Sequence, residues 1–229
     1  WSSNARIMSQ SFMFDVVIPA RNEADCIKSI IDFFQSIPNV EKIIVVNNSS
    51  TDETEAIALN AKATVINEDK IGKGSAVKTG LRFSKNNYVF VCDADVKGLT
   101  LKIVQKLISD IADRKTNFCR AAIKRSPELA PVTEMVVKPL FNVLMPELSY
   151  IQEPLGGIFV CDRKFLLDLV LPDGWGFDIY LTMEIHRQTG HVYEKNFEGV
   201  THRGKTLKQY IDMSQKVIES IFDWRNKYI

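Results

Sequence analysis

Two carboxylates and a lysine between glycines carry the first chemical signal in this chain. Asp93-Ala94-Asp95 follows directly on the apolar run Tyr88-Val-Phe-Val-Cys92. At a strand end, where the chain turns, both carboxylates can converge on a cation. Hard oxygen ligands suit Mg2+ or Mn2+, which complete their shells with water and substrate phosphate. Upstream lies Gly72-Lys73-Gly74. It lacks the third glycine of a dinucleotide fingerprint and the Lys-Ser/Thr ending of a P-loop. Two readings stand for it. One is a flexible turn with a surface lysine. The other is a close approach to a diphosphate, with Lys73 as the point charge and the N-terminus of the helix starting at Gly74 adding a favourable dipole.

The elements that position these groups alternate. Apolar runs at 14–19, 42–46, 64–66 and 88–92 read as buried strands. Helices are expected between and after them, over 24–37, 52–61, 74–83 and 100–112, with apolar residues at helical spacing such as Ile27, Ile30, Ile31 and Phe34. This βαβα order with continuous apolar strands predicts an α/β fold, a mostly parallel central sheet flanked by helices. Ligands on such sheets sit at the carboxyl ends of the strands. Four consecutive strand ends here carry polar groups: Pro19-Ala-Arg-Asn-Glu23, Asn47-Asn-Ser-Ser-Thr-Asp-Glu-Thr54, Asp69-Lys-Ile-Gly-Lys-Gly-Ser75 and Asp93-Ala-Asp95. Turn chemistry explains any one of them; it explains four at one edge poorly.

Composition bounds the rest. The chain has 229 residues, 45% hydrophobic and 25% charged, which excludes disorder and collagen-like structure. A net charge of +1 supplies no global field for nucleic acid or an anionic membrane. No apolar run approaches the roughly 18 residues of a membrane span. Cys26, Cys92, Cys119 and Cys161 are widely spaced with no C-x-x-C pair, so a zinc site is not expected. Reduced cysteines place the protein in the cytoplasm. Residues 1–13 read as an N-terminal tail, and 14–229 as a single domain, divided into an N-terminal half over 14–99 and a C-terminal half over 100–229.

The run from Val17-Ile-Pro-Ala-Arg-Asn-Glu23 through Ser50-Thr-Asp-Glu-Thr54 to Cys92-Asp-Ala-Asp95 resembles nucleotide-sugar glycosyltransferases with the glycosyltransferase-A fold. Within them the chain is most similar to glucosyl-3-phosphoglycerate synthases. Gly72-Lys-Gly-Ser-Ala-Val77, Val132-Thr-Glu-Met-Val-Val-Lys-Pro-Leu-Phe141, Pro146-Glu-Leu148, Pro154-Leu-Gly-Gly157, Gly174-Trp-Gly-Phe-Asp-Ile179, Thr201-His-Arg203 and Met213-Ser-Gln-Lys-Val-Ile218 match that subgroup in order.

The resemblance implies roles. Pro19, Ala20, Arg21, Glu23, Asn48, Asp93 and Ala94 would bind the donor, with Lys73 contacting the nucleotide. Asn47 and Asn48 stand where the family usually has aspartate and serine, and an amide can still read a uracil edge. Asp95 and His202 would hold Mg2+ or Mn2+ on the diphosphate. Asp178, where the family has glutamate, would orient donor or acceptor; with Asp95 and Lys73 it forms the implied catalytic set. Thr133, Gly156 and Arg203 would bind the acceptor. A Gly-Gly-Arg run expected to grip the acceptor anion is Ala130-Pro131 here, and an asparagine after His-Arg is Gly204. Lys124, Arg125, Lys138, Arg203 and Lys205 could substitute.

The implied reaction is metal-dependent transfer of a hexosyl group, glucosyl first, from a UDP-type donor to a hydroxyl, with retention of configuration. The leading acceptor is 3-phosphoglycerate. A small phosphorylated or carboxylated acceptor is favoured over nucleic acid, the alternative being a hydroxymethylated base in viral DNA. A nucleotidyltransferase is the alternative of another class, and a non-catalytic sugar-nucleotide sensor the last. His186 and His191 carry no expectation beyond a solvated or capping role. A long amphipathic helix including Leu207, Tyr210, Ile211, Val217, Ile218, Ile221 and Phe222 is expected to pack on the sheet, with homodimer contact through Phe222 and Trp224 as a lesser reading.

Overall fold

The computed structural model describes residues 12–113 and 115–229. The expected tail falls outside the described residues up to residue 11. Among the described residues, seven strands form one sheet in the order β3-β2-β1-β4-β6-β5-β7. They are β1 (Phe14–Ala20), β2 (Val40–Asn47), β3 (Thr64–Asn67), β4 (Tyr88–Cys92), β5 (Phe118–Ile123), β6 (Ile158–Asp162) and β7 (Tyr193–Phe197). β1 to β4 are mutually parallel. β6 runs antiparallel to both β4 and β5, and β7 is parallel to β5. The mostly parallel α/β sheet expected from the apolar runs is therefore present, with one reversed strand.

The reversal matters for the site. β6 begins opposite the residue where β4 ends, Ile158 pairing with Cys92. The loop before β6 thus reaches the same edge as the loops after β1, β2 and β4. β5 and β7 end at that edge too.

Side chains alternate across a strand, and both faces of this sheet are covered. Val16 and Ile18 of β1 pack into a core with α1 (Ile27–Gln35) and α4 (Leu101–Ala112), while Val17 faces the opposite core. That second core is built by α3 (Lys73–Phe83), α5 (Lys138–Leu144), α7 (Phe177–Thr189) and α8 (Leu207–Tyr228). α2 (Thr54–Asn60) and α6 (Arg163–Asp168) complete the helices. α1 starts at Ile27, later than expected, because Glu23 O accepts from both Cys26 N and Ile27 N and closes a turn first. All four cysteines are buried and free.

α8 departs from expectation. It packs through Val217, Ile221 and Trp224 against α7, and Trp224 Nε1 donates to Glu184 Oε2 at 3.2 Å. Trp224 is buried, which removes it from the expected dimer contact, whereas Leu207, Ile211 and Phe222 stay exposed. Among the described residues, no helix is long and apolar enough to cross a membrane.

Candidate active site

The first two polar loops hold each other. Asn22 takes a left-handed conformation (φ 56°) and its Oδ1 accepts from Thr51 N at 2.8 Å. Glu23 N donates to Thr54 Oγ1 at 2.8 Å, and Ala24 N to Asp52 Oδ2 at 3.1 Å. Ser50-Thr-Asp-Glu-Thr54 therefore serves as a brace for the Pro19–Glu23 loop. Pro19, Ala20, Arg21 and Glu23 line a cleft of about 920 Å³ at the carboxyl edge. Arg21 Nη1 is buried there without a partner among the described residues. Asn48 also borders the cleft but spends both amide donors on Glu68 O and Lys70 O, and its Oδ1 accepts from Gly72 N. It shapes the 68–72 loop and has no donor left to offer a base.

Asp93, Ala94 and Asp95 follow β4 into the same cleft. His202 joins them from more than a hundred positions downstream because Lys97 and Thr201 exchange both backbone hydrogen bonds, at 2.9 and 3.0 Å. One ligand atom each from Asp93, Asp95 and His202 lies within 4.8 Å of the others. Two carboxylates and an imidazole fit a first-row divalent cation. Burial lowers the His202 pKa below its ordinary 6.5, against the pull of Asp93 and Asp95, so the ring is a neutral ligand at pH 7. Arg203 N donates to Asp95 Oδ2 at 3.3 Å, and its guanidinium lies 2.8 Å from Glu23. Arg203, expected at the acceptor, is thus turned toward the first loop. Burial raises the Glu23 pKa to about 7, with Arg203 opposing and Asp95 adding.

The Lys73 loop differs from both readings of its sequence. Lys73 is no surface lysine: its Nζ lies 2.8 Å from Asp93 and 2.7 Å from Asp178, deep in the cleft. Burial would lower its pKa, but the two carboxylates outweigh that and raise it. The glycines serve a close approach of protein rather than phosphate. A side chain on Gly72 or Gly74 would collide with the main chain of Pro172 to Gly174. The first amides of α3 are already taken, Ser75 N by Asp173 O at 2.9 Å and Gly74 N by Gly174 O at 3.3 Å. The helix dipole expected to meet a phosphate there meets protein carbonyls instead. That contact sets the start of α7, and so places Asp178. Burial raises the Asp178 pKa, against Lys73, and its Oδ1 is buried with no partner among the described residues.

The other end of the cleft is lined by Arg125, Thr133, Glu153, Gly156, Tyr210 and Met213, with Trp175 half-exposed at its mouth. Thr133 is buried in a π-helical turn over Thr133–Val137, a feature frequent at functional sites.

Residues 15–131 match the model of Glycosyl transferase family 2. The chain belongs to this family. The glucosyl-3-phosphoglycerate synthase of Mycolicibacterium smegmatis is 28% identical to this glycosyltransferase, over 90% of this chain and 75% of that one. The enzyme of the same name from Petrotoga mobilis is 26% identical, over 96% and 75%. Among solved structures, the Mycobacterium tuberculosis glucosyl-3-phosphoglycerate synthase in complex with Mn2+, UDP-glucose and phosphoglyceric acid superposes with a TM-score of 0.87, at 26% identity over 98% of this chain and 84% of that one. The mannosyl-3-phosphoglycerate synthase of Rubrobacter xylanophilus gives 0.88, at 25% identity over 98% and 77%.

Several residues of this glycosyltransferase carried no sequence expectation as site residues. Glu153 reaches the cleft through the loop before the reversed strand, Trp175 through the loop before α7, and Tyr210 and Met213 through the return of α8. Arg120 does not line it but lies fully buried beneath, donating from Nη1 to Glu153 O at 3.3 Å.

Proposed function

We propose that this glycosyltransferase moves a glucosyl group from UDP-glucose to the hydroxyl of a small phosphorylated or carboxylated acceptor, 3-phosphoglycerate first, using Mg2+ or Mn2+ and retaining the anomeric configuration. The observation that carries the reading is the convergence of Asp93, Asp95 and His202 beside Lys73 and Asp178 at the strand-end edge. Similarity to glucosyl-3-phosphoglycerate synthases over 90% of the chain supports the donor and acceptor.

Asp95 and His202 would hold the cation, with Asp93 facing the metal or the ribose. The bound cation supplies Lewis-acid stabilisation of the leaving diphosphate. Pro19, Ala20, Arg21, Glu23, Asn48 and Ala94 line the nucleotide, and the free Arg21 Nη1 is available to it. Asp178 Oδ1, buried and unpartnered, accepts from a sugar hydroxyl and fixes the ring. Lys73 fixes Asp178 and Asp93 in turn. Thr133, Gly156 and Arg125 face the acceptor, which is deprotonated by the departing phosphate, Asp178 being committed to Lys73 and the sugar. The nucleotide half over 14–99 and the acceptor half over 100–229 close one cleft.

A panel of UDP-glucose, GDP-glucose and GDP-mannose against 3-phosphoglycerate, glycerol 3-phosphate, glycerate and hydroxymethylated DNA tests this reading, with NMR of the product. An α-linked glucosyl product from UDP-glucose and 3-phosphoglycerate is expected. Transfer to DNA alone, or a β-linked product, would overturn the acceptor or the retention respectively.

A further inference from the structure

The guanidinium of Arg125 enters the acceptor end of the cleft already paired. Its Nη2 lies 2.7 Å from Glu153 Oε1, with the Arg125 side chain 20% exposed and that of Glu153 5%. Glu153 is fixed from several sides. The Glu194 carboxylate accepts from the amides of Gln152 at 2.8 Å and Glu153 at 3.0 Å. Arg120 donates to the Glu153 carbonyl at 3.3 Å, and a side chain at Gly156 would press on Glu153 Cγ at 2.8 Å. The carboxylate therefore stands behind Arg125 as a permanent, buried partner. Arg125 Nε is buried with no partner among the described residues, so the guanidinium keeps donor capacity to spend.

Besides Arg125, the buried Arg120 lies against Glu153, and it faces no part of the cleft itself. Ala130-Pro131 replaces the expected arginine, and Arg203 is engaged by Glu23. An acceptor anion at Arg125 thus meets a guanidinium already paired with a carboxylate, in surroundings where water screens poorly. Orientation and charge can be separated. Replacing Glu153 with glutamine keeps volume and an oxygen to accept from Arg125 Nη2, and removes the negative charge alone.

From this we infer that Glu153 is the charge regulator of the acceptor site: a built-in counter-ion to Arg125 that weakens the hold on an anionic acceptor and so limits the affinity for 3-phosphoglycerate. The inference rests on the proposed function for the position of the acceptor, and it names the residue that sets how tightly an anionic acceptor is held. 3-Phosphoglycerate is bound against this counter-ion, and its affinity is lowered accordingly.

The test is a calorimetric titration of 3-phosphoglycerate into the wild-type protein, Glu153→Gln, Glu153→Met as a second uncharged variant should the first fold poorly, and the double variant Arg125→Gln/Glu153→Gln. Removing the charge is expected to tighten binding by roughly tenfold, the scale of one poorly screened like-charge repulsion. The gain should vanish when Arg125 is also removed. Equal affinity in wild-type and uncharged variants, no measurable binding to those variants, or a gain that survives the loss of Arg125 would overturn the inference. The titration needs no turnover, so a failure of sugar transfer from UDP-glucose in a separate assay would sink the proposed reaction without being mistaken for a failure of charge regulation.

Discussion

Lys73 Nζ lies 2.7 Å from the carboxylate of Asp178, 105 positions away in the chain. The same ammonium lies 2.8 Å from Asp93. One cation thus ties the first turn of α7 to the carboxylates that follow β4, and so ties the two sides of the cleft together.

Lys73→Met is expected to cost stability as well as activity. It leaves Asp93 and Asp178 facing each other without a counter-charge, and breaking a buried pair by removing one partner costs about 3–5 kcal/mol. Asp93 is partly exposed, which brings the expected loss to about 2–4 kcal/mol. Denaturant unfolding measures it. A loss under about 0.5 kcal/mol, the range of an ordinary surface substitution, would return Lys73 to the surface-turn reading.

Gly157→Ala tests how tightly that joint is built. A methyl there would overlap Asp93 Oδ2 and come within 2.5 Å of Lys73 Nζ. Displacing Asp93 by about an ångström should cut turnover by roughly a hundredfold, while overpacking costs about 1–3 kcal/mol of stability. Turnover close to wild type would show that the Asp93–Lys73 geometry is not needed.

The His202 imidazole must be neutral to bind a cation, and its pKa is held below 6.5 by burial. Mn2+ affinity should be flat from pH 8 to about 6.5 and fall as pH drops further, because protons then compete for the ring. Asp95→Ala and His202→Ala should each abolish most turnover with the fold intact by circular dichroism. Mn2+ binding in His202→Ala that equals wild type, by electron paramagnetic resonance, would make His202 a bystander.

Glu23 titrates in the folded protein at about 7, well above its ordinary 4.5, because burial outweighs Arg203. Between pH 4.5 and 7 the folded state holds a proton that the unfolded state has lost, so this group makes stability fall as pH rises through that window. Glu23→Gln cannot titrate and should flatten that part of the stability profile of the metal-free protein. An unchanged slope would place the Glu23 pKa near its ordinary value.

The sheet was legible because β1, β2 and β4 are short apolar runs, each ending in polar residues at the same edge. The direction of β6 was not, since Ile158–Asp162 is apolar in the manner of its neighbours and burial does not encode strand polarity. Asp93 and Asp95 were legible from position alone, but His202 only through the resemblance, because the bridge between Lys97 and Thr201 that delivers it is made by backbone. Gly72 and Gly74 were legible as a close approach and misread as to what approaches. Their partner, the Pro172–Gly174 main chain, leaves no local trace in the sequence. The Arg125–Glu153 pair was hidden for the same reason, both residues lying in loops that meet only when β5 and β6 pair.

Mass spectrometry of a reaction containing the protein, UDP-glucose, 3-phosphoglycerate and MnCl2 tests metal-dependent glucosyl transfer most directly. The expected product is 3-phosphoglycerate heavier by one hexosyl residue, lost on adding EDTA and restored by excess Mn2+ or Mg2+. Transfer that proceeds undiminished in EDTA, or no hexosylated product with any metal present, would contradict the role given to Asp95 and His202 and the reaction built on it.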